Sequence, residues 1–168
     1  LAGIKNSLIF DLLNQTTMVT FFHPDAAMLK WLKEYAGNRL IIDVGCGTGH
    51  ITRALFKLGA KVVGLDPFYS TEHYEHLLGC HILPWKIEDH PVFYKGQGNK
   101  VLLLFARPCH SDFVANTLDD KDDDTEALYI TVPKNLIIYN DLGAHKNRAV
   151  LVNHEGTSKD DEVVYSVR

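Results

Sequence analysis

The ten residues LIIDVGCGTG, 40–49, constrain this chain more than any other stretch. An apolar, partly β-branched run (Leu40, Ile41, Ile42, Val44) is interrupted once, by Asp43, and ends at three glycines spaced two apart, Gly45, Gly47 and Gly49. A helical pattern, ITRALFKL, follows His50 directly, so the segment reads as strand, tight turn and helix. Glycine at these positions permits positive φ and removes the Cβ atoms that would hold a ligand off the backbone. The helix then directs its unpaired N–H groups, and the positive end of its dipole, at whatever lies over the turn. A nucleotide-like ligand fits that chemistry.

Downstream, LGAKVVGLDP supplies a second apolar strand that ends at Asp66, after the intervening helix. The two motifs in register resemble the first two motifs of class I S-adenosylmethionine-dependent methyltransferases, a family that keeps an acid at this second position for the ribose hydroxyls. The rival dinucleotide fingerprint needs G-x-G-x-x-G to carry a pyrophosphate, and this chain has the shorter G-x-G-x-G. The resemblance rests on motifs from residue 40 to about 83 and continues to the C-terminus as an order of elements. It implies a Rossmann-like three-layer α/β sandwich with a mostly parallel seven-stranded sheet and a C-terminal antiparallel hairpin. Residues 1–168 then form one domain, 1–39 being a helical cover and 40–168 the core. The implied activity is methyl transfer (EC 2.1.1 class) from S-adenosyl-L-methionine, leaving S-adenosyl-L-homocysteine, to an unspecified acceptor. The alternative is a non-catalytic adenosylmethionine- or adenosylhomocysteine-binding protein, or a subunit that needs a partner.

By the same resemblance the cofactor is expected on Asp43, Gly45, Cys46, Gly47 and Gly49, on Asp66 and Pro67, and on Trp85, Lys86, Ile87 and Glu88. Asp43 can meet the ammonium group directly or through water, and Asp66 offers two acceptors to the ribose diol. Loss of Asp66 is expected to weaken binding and to change stability little. Trp85 or Ile87 can pack on the adenine face and Glu88 can accept from the exocyclic amine. Trp85 is equally well read as a core residue, and the family's commoner Gly-Asp is missing at this point. No metal and no second cofactor is required.

The remaining pattern alternates strand and helix, as an α/β domain requires. Residues 4–13 carry apolar positions at helical spacing. A helix follows Pro24, with Met28, Trp31, Leu32 and Tyr35 on one stripe and Gly37 beyond its end. Just before it, Phe21, Phe22 and His23 read either as packing at the start of that helix or as a lid. The second strand is expected at 61–65, and Ser70 can cap a helix over 71–78 closed by Gly79. His73 and His76 lie one turn apart on that helix, and without a third ligand they read as a solvated face. Strands follow at 81–85, 100–105 and 127–132. Between the last two, Ser111 is placed to cap a helix burying Phe113, Val114 and Leu118. The acids of DDKDDDTE lack the glycine and terminal Glu of a calcium loop. Little room remains after Pro133 for a full helix, and AVLVN and EVVYSVR read as the two last strands.

Composition bounds the rest. With 168 residues, 46% of them hydrophobic and 23% charged, the chain can bury a single core, and it offers no apolar run long enough to span a bilayer. No secretory signal is recognised at the start. Three scattered cysteines, Cys46, Cys80 and Cys109, match neither a zinc motif nor a disulfide framework, so a cytoplasmic setting is expected. A net charge of -4 gives no general attraction for a polyanion, which favours a small-molecule or protein acceptor over nucleic acid.

The catalytic candidates are Arg107, Cys109 and His110, in the loop leaving the fourth strand, where the family often approaches the methyl group. Pro108 stiffens this loop. Histidine is the side chain best suited to take a proton near neutral pH, so His110 reads either as a general base or as a capping and packing residue. Cys109 reads as an alkylatable or a buried structural thiol. Arg107 reads as a clamp for an anionic substrate group or the methionyl carboxylate, or as a partner for one of the many acids.

Overall fold

A computed structural model of the chain describes residues 26–73, 76–154 and 165–167. Its centre is the strand β1, Leu40–Val44, whose side chains alternate between two buried layers. Ile41 packs with Met28, Leu32, Ile51 and Leu55 on one side of the sheet. Ile42 and Val44 pack with Val114, Leu118 and Tyr139 on the other. A strand buried on both faces must be apolar throughout, and Asp43 is therefore the anomaly in this one.

Five more strands run parallel to β1: β2 (Val62–Leu65), β3 (His81–Leu83), β4 (Val101–Ala106), β5 (Glu126–Thr131) and β6 (Val150–His154). Their spatial order is β3-β2-β1-β4-β5-β6, the doubly wound order whose direction reverses between β1 and β4. A short strand β7, Tyr165–Val167, pairs antiparallel with β6, and the connection between them falls on residues 155–164, outside the described residues.

Helices α1 (Ala26–Ala36) and α2 (His50–Lys57) cover one face, and α3 (Asp112–Asp120) covers the other. Gly37 and Gly59 stand beyond α1 and α2 with φ of 60° and 88°, as C-terminal helix stops require. The C-terminal turn of α1 is tied to the start of β5, where Glu126 accepts from both Tyr35 and Arg39. That tie lies at the N-terminal end of the strands, which leaves the opposite end for a site. Among the described residues no helix is long and apolar enough to cross a membrane.

Three expectations change. The helix over 71–78 is replaced by a single 3₁₀ turn, Thr71–His73, with residues 74–75 outside the described set. Leu77 is only half-buried and Leu78 fully exposed, so these two apolar residues bury little, and so short a helix does not hold without packing. His76 is consequently not on a solvated helix face: its ring lies 3.1 Å from the Thr71 carbonyl and 3.3 Å from the Tyr69 hydroxyl. β3 stops at Leu83, before Pro84, which cannot donate to the ladder. The long polar connection after it is built of single 3₁₀ turns at Ile87–Asp89, Pro91–Phe93 and Gly98–Lys100. After β5 a one-turn α4, Leu136–Asn140, lies between 3₁₀ turns, in line with the little room available. The segment 4–13, Pro24 and the Phe21 to His23 stretch lie outside the described residues.

Candidate functional site

The glycine turn is lashed to the end of β2. The N–H groups of Gly45 and Cys46 both donate to the Leu65 carbonyl, at 2.7 and 3.1 Å. All three glycines hold positive φ, 69° at Gly45, 60° at Gly47 and 85° at Gly49. At two of them protein atoms take the space that a Cβ would need. A Cβ on Gly45 would lie 3.1 Å from the Phe113 ring, and one on Gly49 would lie 2.4 Å from Ile82. Gly47 instead presents its N–H to Asp66 Oδ2 at 2.9 Å.

Asp66 is thereby part of the turn. Its second oxygen, Oδ1, accepts from the Phe68 N–H at 2.8 Å, so one carboxylate staples the end of β2 to the turn after β1. Burial pushes its pKa up, against the pull of the Phe68 and Gly47 N–H groups. Each oxygen retains acceptor capacity, but the expectation that its loss leaves stability nearly unchanged does not survive these two bonds.

Asp43 lies deeper, 2% exposed, with Oδ2 accepting from the Thr52 hydroxyl at 2.7 Å. Burial lifts its carboxyl from 3.8 to about 7; the Thr52 bond works against that rise and the charge of Asp66 adds to it. Burial likewise pushes the Cys46 thiol far above its ordinary range, which removes it as a nucleophile.

A cleft of about 600 Å³ opens over these groups at the C-terminal ends of β1, β2 and β4. It is lined by Asp43, Gly45, Cys46 and Gly47 of the first motif, Asp66 and Pro67 of the second, Trp85, Lys86, Ile87 and Glu88 after β3, and Arg107, Cys109 and His110 after β4. Gly49 is not part of the lining. Sequence reasoning missed Thr48, His50, Ile51, Phe68, Tyr69 and Phe113, which also line it. Phe68 and Tyr69 were signalled by adjacency to Asp66, whereas Phe113 reaches the cleft only through the placement of α3.

The candidates divide by environment. Trp85 is 38% exposed and stacks on His90, with ring centroids 4.2 Å apart, so it is a rim residue and not a core one. Ile87 is the core residue of that segment, at 3%. Glu88 accepts from the Asn116 amide at 2.8 Å, which occupies one of its oxygens. Arg107 is the one non-glycine residue with positive φ, 48°, among the described residues. Its N–H donates to the Ile130 carbonyl at 2.7 Å, and burial draws its pKa down. Backbone strain of this kind persists where surrounding structure over-determines it, commonly at binding sites. Pro108 is buried, while Cys109 and His110 are exposed; the protein around the Cys109 thiol still holds its pKa above the ordinary value. Ser111 occupies the N-cap position of α3 without a side-chain capping bond. No group of three metal-ligating side chains occurs among the described residues.

Parts of the chain are similar to two known enzymes. A segment of 62 residues is 39% identical to the tRNA U34 carboxymethyltransferase of Pseudoalteromonas atlantica, covering 32% of this chain and 19% of that protein. A segment of 41 residues is 44% identical to the ubiquinone biosynthesis O-methyltransferase of Bordetella avium, covering 23% of this chain and 17% of that protein. The likeness thus spans less than a fifth of either relative and is one of methyltransferases at a coarse level. No protein-family model matches the chain, and no solved structure matches it.

Proposed function

We propose that this chain is an S-adenosylmethionine-dependent methyltransferase acting on a small-molecule or protein acceptor. The observation that carries this reading is the joining of both sequence motifs in one cleft by the Gly47 to Asp66 hydrogen bond. The partial likeness to two methyltransferases supports it at a coarse level.

The residues present fit the cofactor. Asp43 is a buried acid at the cleft, and among the described residues the groups that shift it include no cation, which a ligand ammonium would supply. Asp66 has spare lone pairs for a ribose diol, and the exposed rings of Phe68 and Trp85 offer flat apolar surface for a base. When bound, adenosylmethionine supplies an electrophilic methyl group, so alignment and a dry pocket are what the protein must add. Asp43 and Asp66 orient the ligand, and the walls formed by Ile87 and Phe113 exclude water. His110, exposed at the mouth, takes the proton from the acceptor.

The Pseudoalteromonas relative is named for a tRNA substrate. For this chain the net charge of -4 weighs against a polyanion. The alternative of a non-catalytic binding protein or partner-dependent subunit draws on the loop after β4, where His110 is the one side chain suited to accept a proton. Calorimetry with adenosylmethionine, adenosylhomocysteine and NADH tests the cofactor: the first two bind, and NADH binding more tightly than either refutes the assignment. Labelled adenosylmethionine with a cell extract then separates the readings, since an enzyme labels an acceptor and a binding protein labels none.

A further inference from the structure

We infer that Thr52 is the positioning residue of this cleft, its hydroxyl fixing the Asp43 carboxylate at the floor for a cationic ligand group. The inference rests on the adenosylmethionine reading for the identity of that ligand, and on the structure alone for the Thr52 to Asp43 link.

Three features of the fold converge on the link. Thr52 is fully buried in the first turn of α2, and its hydroxyl donates to Asp43 Oδ2 at 2.7 Å. That engages one carboxylate oxygen and leaves Oδ1 to meet a ligand at the cleft that Asp43 lines. Thr52 can reach β1 only because the neighbouring position on β2, paired in register with Asp43, is Gly64. A Cβ there would lie 2.6 Å from Thr52 Oγ1 and 2.9 Å from Cys46 Sγ. A glycine in the middle of a buried strand weakens it unless something must approach closely, and here what approaches is this hydroxyl. A threonine in the first turn of a helix is also free of the need to bond its own backbone, and this one bonds a side chain of β1 instead.

Among the described residues, groups from four elements bear on Asp43. From α2 there is Thr52, from the glycine turn the Cys46 thiol, from the end of β2 the carboxylate of Asp66, and from β4 the apolar Leu104 in register beside it. Thr52 is the one whose hydrogen bond favours the ionised form. Without it Asp43 would hold its proton to higher pH and present a neutral acid to an incoming ammonium.

The test uses Thr52→Val, which keeps the shape and removes the hydroxyl, and Thr52→Ser, which restores it. The ¹³C carboxyl resonance of Asp43 is titrated in the ligand-free proteins, alongside calorimetry of adenosylhomocysteine across the same pH range. The expected result is an Asp43 midpoint raised by about one unit in Thr52→Val, with affinity near pH 7 reduced about fivefold, as the ionised fraction falls, and a wild-type profile in Thr52→Ser. A midpoint that is the same in wild type and Thr52→Val overturns the inference, as does unchanged affinity in that variant. A shifted midpoint in a wild-type protein that binds no adenosylhomocysteine refutes the cofactor assignment instead, and with it the ligand this residue is said to serve. Thermal melts of each variant at one pH confirm that the fold is retained.

Discussion

Replacing Asp43 by Asn should stabilise the ligand-free protein at neutral pH, and the size of the effect follows from the burial of this acid. In the unfolded chain the carboxyl ionises near 3.8, whereas in the fold it keeps its proton to about 7. Between those values the native state binds more protons than the unfolded state, so stability falls as pH rises across the window. The contribution is fully present below the unfolded value and is lost once pH passes the folded one. About three units at 1.36 kcal/mol each amount to roughly 4 kcal/mol, of which roughly 3 kcal/mol falls between pH 5 and 8. Asn cannot ionise, yet its carbonyl oxygen can still accept from Thr52, so the variant escapes this loss. Thermal unfolding of both proteins is followed across that range, and other titrating groups cancel in the difference. The variant should gain about 6–12 °C on the wild type between pH 5 and pH 8, using 2–4 °C per kcal/mol for a domain of this size. A constant difference between the two proteins over the whole range would refute the reasoning, because it would mean that Asp43 ionises in the fold as readily as in water.

Asp66→Asn keeps one acceptor where two N–H groups need one each, and should cost roughly 1.5–3 kcal/mol of stability in urea denaturation; an unchanged midpoint would show that the carboxylate does not staple the turn to β2. Gly64→Ala should cost about 1–3 kcal/mol by overpacking against Thr52 and Cys46, with part of the loss recovered in a Thr52→Ala background. Failure of that second change to recover anything would place the clash elsewhere. His110→Ala should leave adenosylmethionine affinity in place and lower turnover at least about tenfold once an acceptor is known, and undiminished turnover would remove His110 from the chemistry.

What the sequence made legible was local in origin. The strand, glycine turn and helix of residues 40–57 announce themselves because each residue type there answers a backbone demand, and Leu40–Val44 forms the strand expected of it. The same holds for the helix stops at Gly37 and Gly59. The 71–78 helix failed for the opposite reason: its residues tolerate a helix, but Leu77 is only half-buried and Leu78 is exposed, so these positions gain little from packing. Trp85 was equally readable as core or rim, and the decision came from the 3₁₀ turns that place His90 against its ring, a contact five residues away. Gly64 gave no signal at all. Its requirement arises from a helix that passes over it, and only the assembled sheet shows that Thr52 and Cys46 take the space.

The same long-range contacts explain why the two acids are held as they are. Asp43 and Asp66 are 23 positions apart in sequence and reach the same cleft because parallel strands bring their C-terminal ends together. Each is raised by burial, and the charge of Asp66 raises Asp43 further. Hydrogen bonds from Thr52, Gly47 and Phe68 offset only part of that. Backbone N–H groups are fixed by the turn, so they cannot follow the charge; a mobile cation can. Lys86 and Arg107 line the same cleft as the two acids, and under the proposed reading a ligand ammonium would gain affinity from the buried Asp43 carboxylate that a neutral nucleoside would not. Under the proposed reading, an aspartate in the middle of an otherwise apolar strand costs the fold stability and serves the amino-acid end of a nucleoside ligand.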